Sequence, residues 1–447
     1  MTPSSLANLD LVSRHPSISR GVRIIRLFLG PFYTSSLAHG IQDFAVHHIA
    51  KLNESINRWE NEIQWQTPDD PTEPYEKAIS EAEHFIESWE QMAADDINEN
   101  NADHLMLLQA HRKYLELYED YRKLSCSLPQ AITSAMLRMP AAKLISINKE
   151  NIWGVLGAVG ILRPRDFDQP ESLLNYLVSP MSWYEAREHD IGPPPFHLIG
   201  ELLFSIQQLG IPLAGLNIAT PPPVPSPSTT NTAATMRELT VLRDVVKRLK
   251  IFTFYPRPNI WDEFWTRRPP DEWAHLTSLL RVLLHTSSLE RIHLSFYFMG
   301  TDKLPPLLSM GSLLLSNTWP NLKDLCFSGP FHFEELKAVV KPLDRSVRLE
   351  WSGYLMSGSW ADVLEFLQGR NAHEQVLGDV NGSIYGQECL NMNEAEKQFI
   401  FHYKMSDIPG MSMATQYIQG FLPSNPVVAW ERGELDVPDL TDEDSDE

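Results

Sequence analysis

At 447 residues with 43% hydrophobic content the chain can bury a large core, and length alone would divide it into several domains unless repeats merge into one body. Its formal net charge of −21 argues against nucleic acid or an anionic membrane surface as partner, since both call for clustered Lys and Arg. Cys126, Cys326 and Cys389 stand far apart with no C-x-x-C pair, which argues against a disulfide framework or a zinc knuckle and fits a reducing intracellular setting, cytoplasmic or nuclear.

Residues 1–34 have no apolar run before Arg14, open on polar turn material from residue 11, and close on VRIIRLFL, which reads as a first strand. Val22, Ile24 and Ile25 cannot all share one face of a flat strand, so the pattern predicts burial on both sides or a bulge. Residues 35–125 take a helical period: Leu37, Ile41, Phe44, Ala45, His48 and Ile49 mark one face, which Leu52, Ile56 and Trp59 continue. The prolines of QTPDDPTEPYE, from Gln66, break the pattern, and helices over 75–95 and 102–124 follow around the polar DDINENNAD. Nowhere does the chain reach the roughly 18 uninterrupted apolar residues that span a bilayer, so no membrane role is expected.

From residue 126 to 370 strand and helix signals alternate. A helix over 129–138 leads to the strand PAAKLISIN, and one over 196–209 leads to GIPLAGLNIA. Helices over 236–249, 271–286 and 304–315 then precede KIFTFYP, SLERIHLSF from Ser287 and PNLKDLCFS from Pro320, while FHFEELKAVVKPL precedes SVRLEWSG from Ser346. In two of these units the apolar residues fall as Leu-x-x-Ile-x-Leu (Leu289, Ile292, Leu294) and Leu-x-x-Leu-x-Phe (Leu322, Leu325, Phe327), the spacing of a strand feeding a stacked-repeat core. The expected fold is therefore α/β, an irregular leucine-rich-repeat-like solenoid with an N-terminal helical region. The Pro/Ser/Thr-rich stretch 220–235 reads as a surface loop. Trp261, Trp265 and Trp273 beside Arg267 and Arg268 read as plugs at a core end rather than a partner site. Trp360, Val363, Leu364 and Leu367 read as a helix capping the array, residues 371–433 as a C-terminal extension, and the acidic 434–447 as a disordered tail in which Thr441 and Ser445 sit in an acid-directed kinase context.

No motif announces catalysis. Neither GSWAD from Gly358 nor GMSMA from Gly410 completes a Gly-x-Ser-x-Gly elbow, and GVLGAVG from Gly154 lacks the turn of a phosphate cradle. Asp96, Asn98 and Asn100 resemble the start of a calcium loop, yet Asn101 and Leu107 occupy the positions of its glycine and bidentate Glu. His47 and His48 point about 100° apart on a helix, too far to share an ion, and read as one interfacial and one solvated side chain. No cofactor and no metal are expected.

Alternation along the strands places Arg291, His293, Asp324, Arg348 and Glu350 outward, with Val347, Leu349 and Trp351 inward. The outward set would share one sheet surface. It reads either as the binding face for a protein partner or as a solvated face.

The opening SRHPSISRGVRIIRLFL, followed by FAVHHIAKL and later by SVRLEWSGYLMSGSWADVLEFL, resembles filamentous-fungal F-box proteins with degenerate leucine-rich repeats. That resemblance, over residues 8–370, implies the substrate-recognition part of a cullin-type ubiquitin ligase, a non-enzymatic protein-binding role. In the family the F-box grips a Skp-family adaptor. Such an F-box forms three helices and opens on Leu-Pro, which MTPSSLANLD does not supply, so adaptor binding is expected only if an F-box lies upstream. The alternative is a stand-alone repeat scaffold for protein binding unrelated to ubiquitin.

Overall fold

The computed structural model describes residues 3–29, 33–65, 72–94, 98, 100–148, 162–181, 197–219, 242–255, 270–296, 310–315, 317–329, 331–352, 355–371, 380–381, 391–401 and 412–435. The chain divides into two compact units: residues 1–21, 27–140 and 148–205 form the first, and residues 22–26, 141–147 and 206–447 the second.

The first unit is helical. Its elements are α1 (Pro3–Arg14), α2 (Ile18–Gly21), α3 (Ser35–His39), α4 (Ile41–Trp65), α5 (Glu73–Ala93), α6 (Ala102–Arg138) and α7 (Pro170–Leu177). The last turn of α1 and the whole of α2 lie where polar turn material was expected from residue 11. Asp10 and Ser13 on α1 both bind the Arg138 guanidinium, at 2.7 and 2.9 Å, so a segment with little apolar signal is held to α6 by polar contacts. α6 runs unbroken through Pro129, where two helices were expected, and the boundary drawn at residue 125 falls inside it. An interior proline costs roughly 3 kcal/mol in a helix. Here packing offsets it: Leu128, Ile132, Ala135 and Met136 are all at most 2% exposed. The side chain of Asn101 caps α6 by accepting from the Asp103 N–H at 2.8 Å, and its amide donates to the Ser88 hydroxyl at 3.2 Å. His104 accepts from the Asn98 N–H through Nδ1 and meets the Ser88 carbonyl through Nε2, which sets its Nε2–H tautomer. The residues that resemble a calcium loop thus include cap residues.

The second unit is built on a parallel sheet with helices between its strands, an α/β arrangement. Its described strands are β1 (Ile24–Phe28), β2 (Leu144–Asn148), β3 (Gly215–Ala219), β4 (Ile251–Phe254), β5 (Arg291–Ser295), β6 (Asp324–Ser328), β8 (Arg348–Ser352) and β10 (Val380–Asn381), side by side in that order. Two shorter strands, β7 (Phe331–His332) and β9 (Leu355–Ser357), pair separately. Strands that neighbour in sequence neighbour in space, as an array of strand–helix units demands. The helices that follow β3 and the later strands are a helical turn at 242–246, α9 (Pro270–Leu284), α10 (Met310–Leu314), α11 (Phe333–Val340) and α12 (Trp360–Asn371), while α8 (His197–Gln208), which precedes β3, belongs mostly to the first unit. β1 shows plain alternation, with Ile24 43% exposed and Ile25 5%, so neither a bulge nor two-sided burial occurs.

α12 buries Trp360, Val363, Leu364 and Leu367, but it is not the end of the sheet. β10 adds beyond β8, and the short helices α13 (Glu394–Phe401), α14 (Met413–Ile418) and α15 (Pro426–Glu431) follow, with α14 and α15 packing on α12. The expected loop at 220–235, the tryptophans at 261 and 265, the Gly154 segment and the tail from residue 436 lie outside the described residues, as does the side chain of Trp273.

Candidate partner-binding sheet face

The register turns the sheet into rows. One row is Leu216, Phe252, Ile292, Leu325 and Leu349 on β3, β4, β5, β6 and β8. Backbone bonds from Leu144 N to Arg23 O and from Gly215 N to Lys143 O extend it to Ile145 and Ile25. All seven are at most 5% exposed. Two residues further along, Ile147, Ile218, Phe254, Leu294 and Phe327 form a second buried row, in which Phe254 and Phe327 both pack at a tilt against Phe296, with centroids 5.5 and 6.1 Å away. The period of two sends the residues between these rows to the opposite face.

That opposite row is Arg26, Ser146, Asn217, Thr253, His293, Cys326 and Glu350, polar at every position apart from the thiol. Asn217 donates to the Ser146 hydroxyl at 3.1 Å, while its buried Oδ1 has no hydrogen-bond partner among the described residues. Beside this row lie Arg291, Asp324 and Arg348, register partners on adjacent strands. Arg291 pairs with Asp324 at 3.0 Å, and Arg348 Nη2 approaches Glu350 at 3.7 Å. All five residues expected on one face are therefore there. Val347 and Leu349 are buried as expected, and the side chain of Trp351 is outside the described set.

Five further residues of the row, Arg26, Ser146, Asn217, Thr253 and Cys326, were not singled out as site residues in the sequence, although alternation alone would have found Cys326 between Leu325 and Phe327. The missing information was which strands pair in register.

The electrostatics argue against a nucleophile. Burial, then the Glu350 carboxylate, push the Cys326 thiol up to about 12. Burial also lowers His293, against a weaker opposing pull from Glu350. A thiol held protonated beside a histidine held neutral is the reverse of an activated thiolate pair. Among the described residues no cluster of three or more His, Cys, Asp or Glu side chains could hold a metal ion.

A groove of about 380 Å³ opens at the N-terminal end of β6 and β8, lined in part by Leu315, Trp319, Leu322, Pro342 and Val347. Trp319 is anchored there by its indole N–H, which donates to the Leu284 carbonyl at 3.0 Å.

In the first unit, His47 and His48 are both buried, at 5% and 2% exposure, so neither is the solvated side chain expected. His48 packs edge-on against Phe44, centroids 4.4 Å apart, and Lys51 lies over the Tyr176 ring. No helix among the described residues is long and apolar enough to cross a membrane. No family model, curated protein or solved structure matches the chain.

Proposed function

We propose that the chain is a non-enzymatic protein-recognition module, corresponding to the substrate-binding part of an F-box-type ubiquitin-ligase receptor, with an irregular leucine-rich-repeat-like array as its scaffold. The partner binds the polar sheet face through Arg291, His293, Asp324, Arg348 and Glu350. One observation carries this reading: seven strands in register present a polar row on one face while the rows that alternate with it are buried. Ser146 in this row is buried, and the half-exposed stretch from Asn217 to Glu350 spans roughly 19 Å over five strands at about 4.8 Å per strand, wider than a small-molecule pocket needs. Strand starts at residues 251, 291, 324 and 348 are 40, 33 and 24 residues apart, which supports an irregular repeat.

The test is affinity purification of the tagged chain from its native cells, alone and extended by any in-frame upstream coding sequence, beside a His293→Ala, Glu350→Ala variant. Recovery of a partner that the variant loses, with a Skp-family adaptor and a cullin recovered only by the extended chain, is the expected result. A partner recovered while the adaptor is absent from both forms makes the chain a stand-alone scaffold with no link to ubiquitin. A partner retained by the variant removes the sheet face from the reading.

A further inference from the structure

The charge on this chain is not evenly spread over its sheet. Two positions before the first buried row, the backbone register aligns Arg23, Lys143, Lys250, Glu290 and Lys323, with Ala214 and Val347 completing the line, and the next position brings Arg291, Asp324 and Arg348. The six basic residues among them, Arg23, Lys143, Lys250, Arg291, Lys323 and Arg348, are all exposed. Among the described residues two carboxylates, Glu290 and Asp324, share these positions, and Arg348 approaches a third, Glu350, at 3.7 Å. This N-terminal border of the sheet therefore holds a local excess of positive charge on a chain whose net charge is −21.

The border already holds one carboxylate. Glu290 accepts from Lys250 and from Lys323, both at 2.7 Å, and these two bonds hold its carboxyl down to about 2. Arg291 and Asp324 repeat the arrangement at 3.0 Å. Six cations against three carboxylates leave the border positive, with Arg23 and Lys143 at one end the furthest from them and Arg348 at the other held only loosely by Glu350 at 3.7 Å.

We propose that this border docks a short, extended acidic peptide segment of a protein partner, with a bulky apolar side chain of that segment seated in the adjoining groove. The proposal rests on the protein-recognition reading above and names its ligand class. The groove adjoins this border, its lining residues Leu322 and Val347 immediately preceding Lys323 and Arg348, and Asp344 is the one charged residue in its lining. An acidic segment of roughly nine residues at about 3.3 Å each matches the seven-strand width of the border. A long polyanion is disfavoured, because the field of the whole chain repels it beyond the patch, whereas a peptide with a few carboxylates feels mainly the local cations.

The probe is a fluorescein-labelled ten-residue peptide alternating Glu and Ser with one central Leu, titrated with the full chain and read by anisotropy. Expected is saturable binding that weakens as salt rises, falls about tenfold in the double reversal Lys143→Glu with Arg348→Glu, at about 0.7 kcal/mol per exposed charge, and weakens again when the central Leu becomes Ala. Retained affinity in Lys143→Arg with Arg348→Lys, together with an unchanged melting temperature of the double reversal, keeps the loss from being a folding effect. Equal binding of a Gln-for-Glu peptide, or equal binding of a single-stranded oligonucleotide, overturns the proposal. So does no binding of the acidic probe. Should the captured partner still require His293 and Glu350 in that case, recognition by the face stands and only the acidic ligand falls.

Discussion

The Lys51 ammonium lies 4.7 Å from the centroid of the Tyr176 ring, and both side chains are buried, at 5% and 8% exposure. The ring face offers this buried cation negative charge in place of part of its water, beside the further contacts that both side chains make. Removing the ring is therefore worse than removing the charge. Tyr176→Leu should destabilise the first unit by about 2–4 kcal/mol, whereas Lys51→Met should cost less than about 1 kcal/mol. Hydrogen exchange of the α4 amides reads both, and a larger loss from Lys51→Met would contradict the account.

His48 beside this pair makes the first unit acid-sensitive. Burial chiefly, then the nearby His47 and Lys51, hold its pKa well below 6.5; the Leu177 backbone favours the charged ring, but makes no hydrogen bond of good geometry with either nitrogen. Burial lowers half-buried His111 as well. The unfolded chain thus binds protons near pH 6.5 that the folded chain refuses. Stability is complete above that pH and declines below it, by up to about 1.4 kcal/mol per pH unit for each such group. Denaturation midpoints from pH 8 to 5 should show the decline, and His48→Leu should flatten it.

The Arg138 guanidinium joins α6 to α1 through Asp10 and Ser13, with both charged side chains partly exposed. Asp10→Ala should cost roughly 1 kcal/mol or less overall, as partly exposed pairs do. Its signature is local: protease cleavage near residues 3–14 should accelerate while the remainder keeps its resistance. Unchanged cleavage would mean that α1 is held by its apolar contacts alone.

These cases show which physics the sequence displays. Strands β4, β5, β6 and β8 were legible because each alternates Ile, Leu, Val or Phe against polar residues over one short run. α1 was not legible, since its anchor is Arg138, more than a hundred residues away, and no local pattern encodes that partner. Pro129 misled for the opposite reason: a strong local breaker was overruled by a face of Leu128, Ile132 and Ala135 that only tertiary packing buries. The five site residues followed from period two, but the single row that includes Ser146, Asn217 and Cys326 required register between strands distant in sequence.

Cys326 should be chemically quiet although it lies on the open face. With its thiol pushed up to about 12, it carries almost no thiolate at pH 8, whereas Cys126 is exposed on α6. Iodoacetamide followed by peptide mapping should label Cys126 at least about tenfold faster. Glu350→Gln removes one of the influences that raise the thiol and should speed labelling of Cys326. Faster labelling of Cys326 in the unaltered chain would reveal an activated thiol and reopen an enzymatic role for the row.

Leu325 and Cys326 are consecutive, yet one is fully buried and the other belongs to the polar face. A one-residue slip of β6 would exchange them, so substitutions at adjacent positions test the register itself. Leu325→Ala should destabilise the second unit by about 2–5 kcal/mol through lost burial and a cavity between Ile292 and Leu349. Cys326→Ser should cost under about 1.5 kcal/mol, because the hydroxyl meets the same half-open surface and can donate to Glu350. Comparable losses at the two positions would mean that both faces of the sheet are covered, and the open row on which recognition depends would not exist.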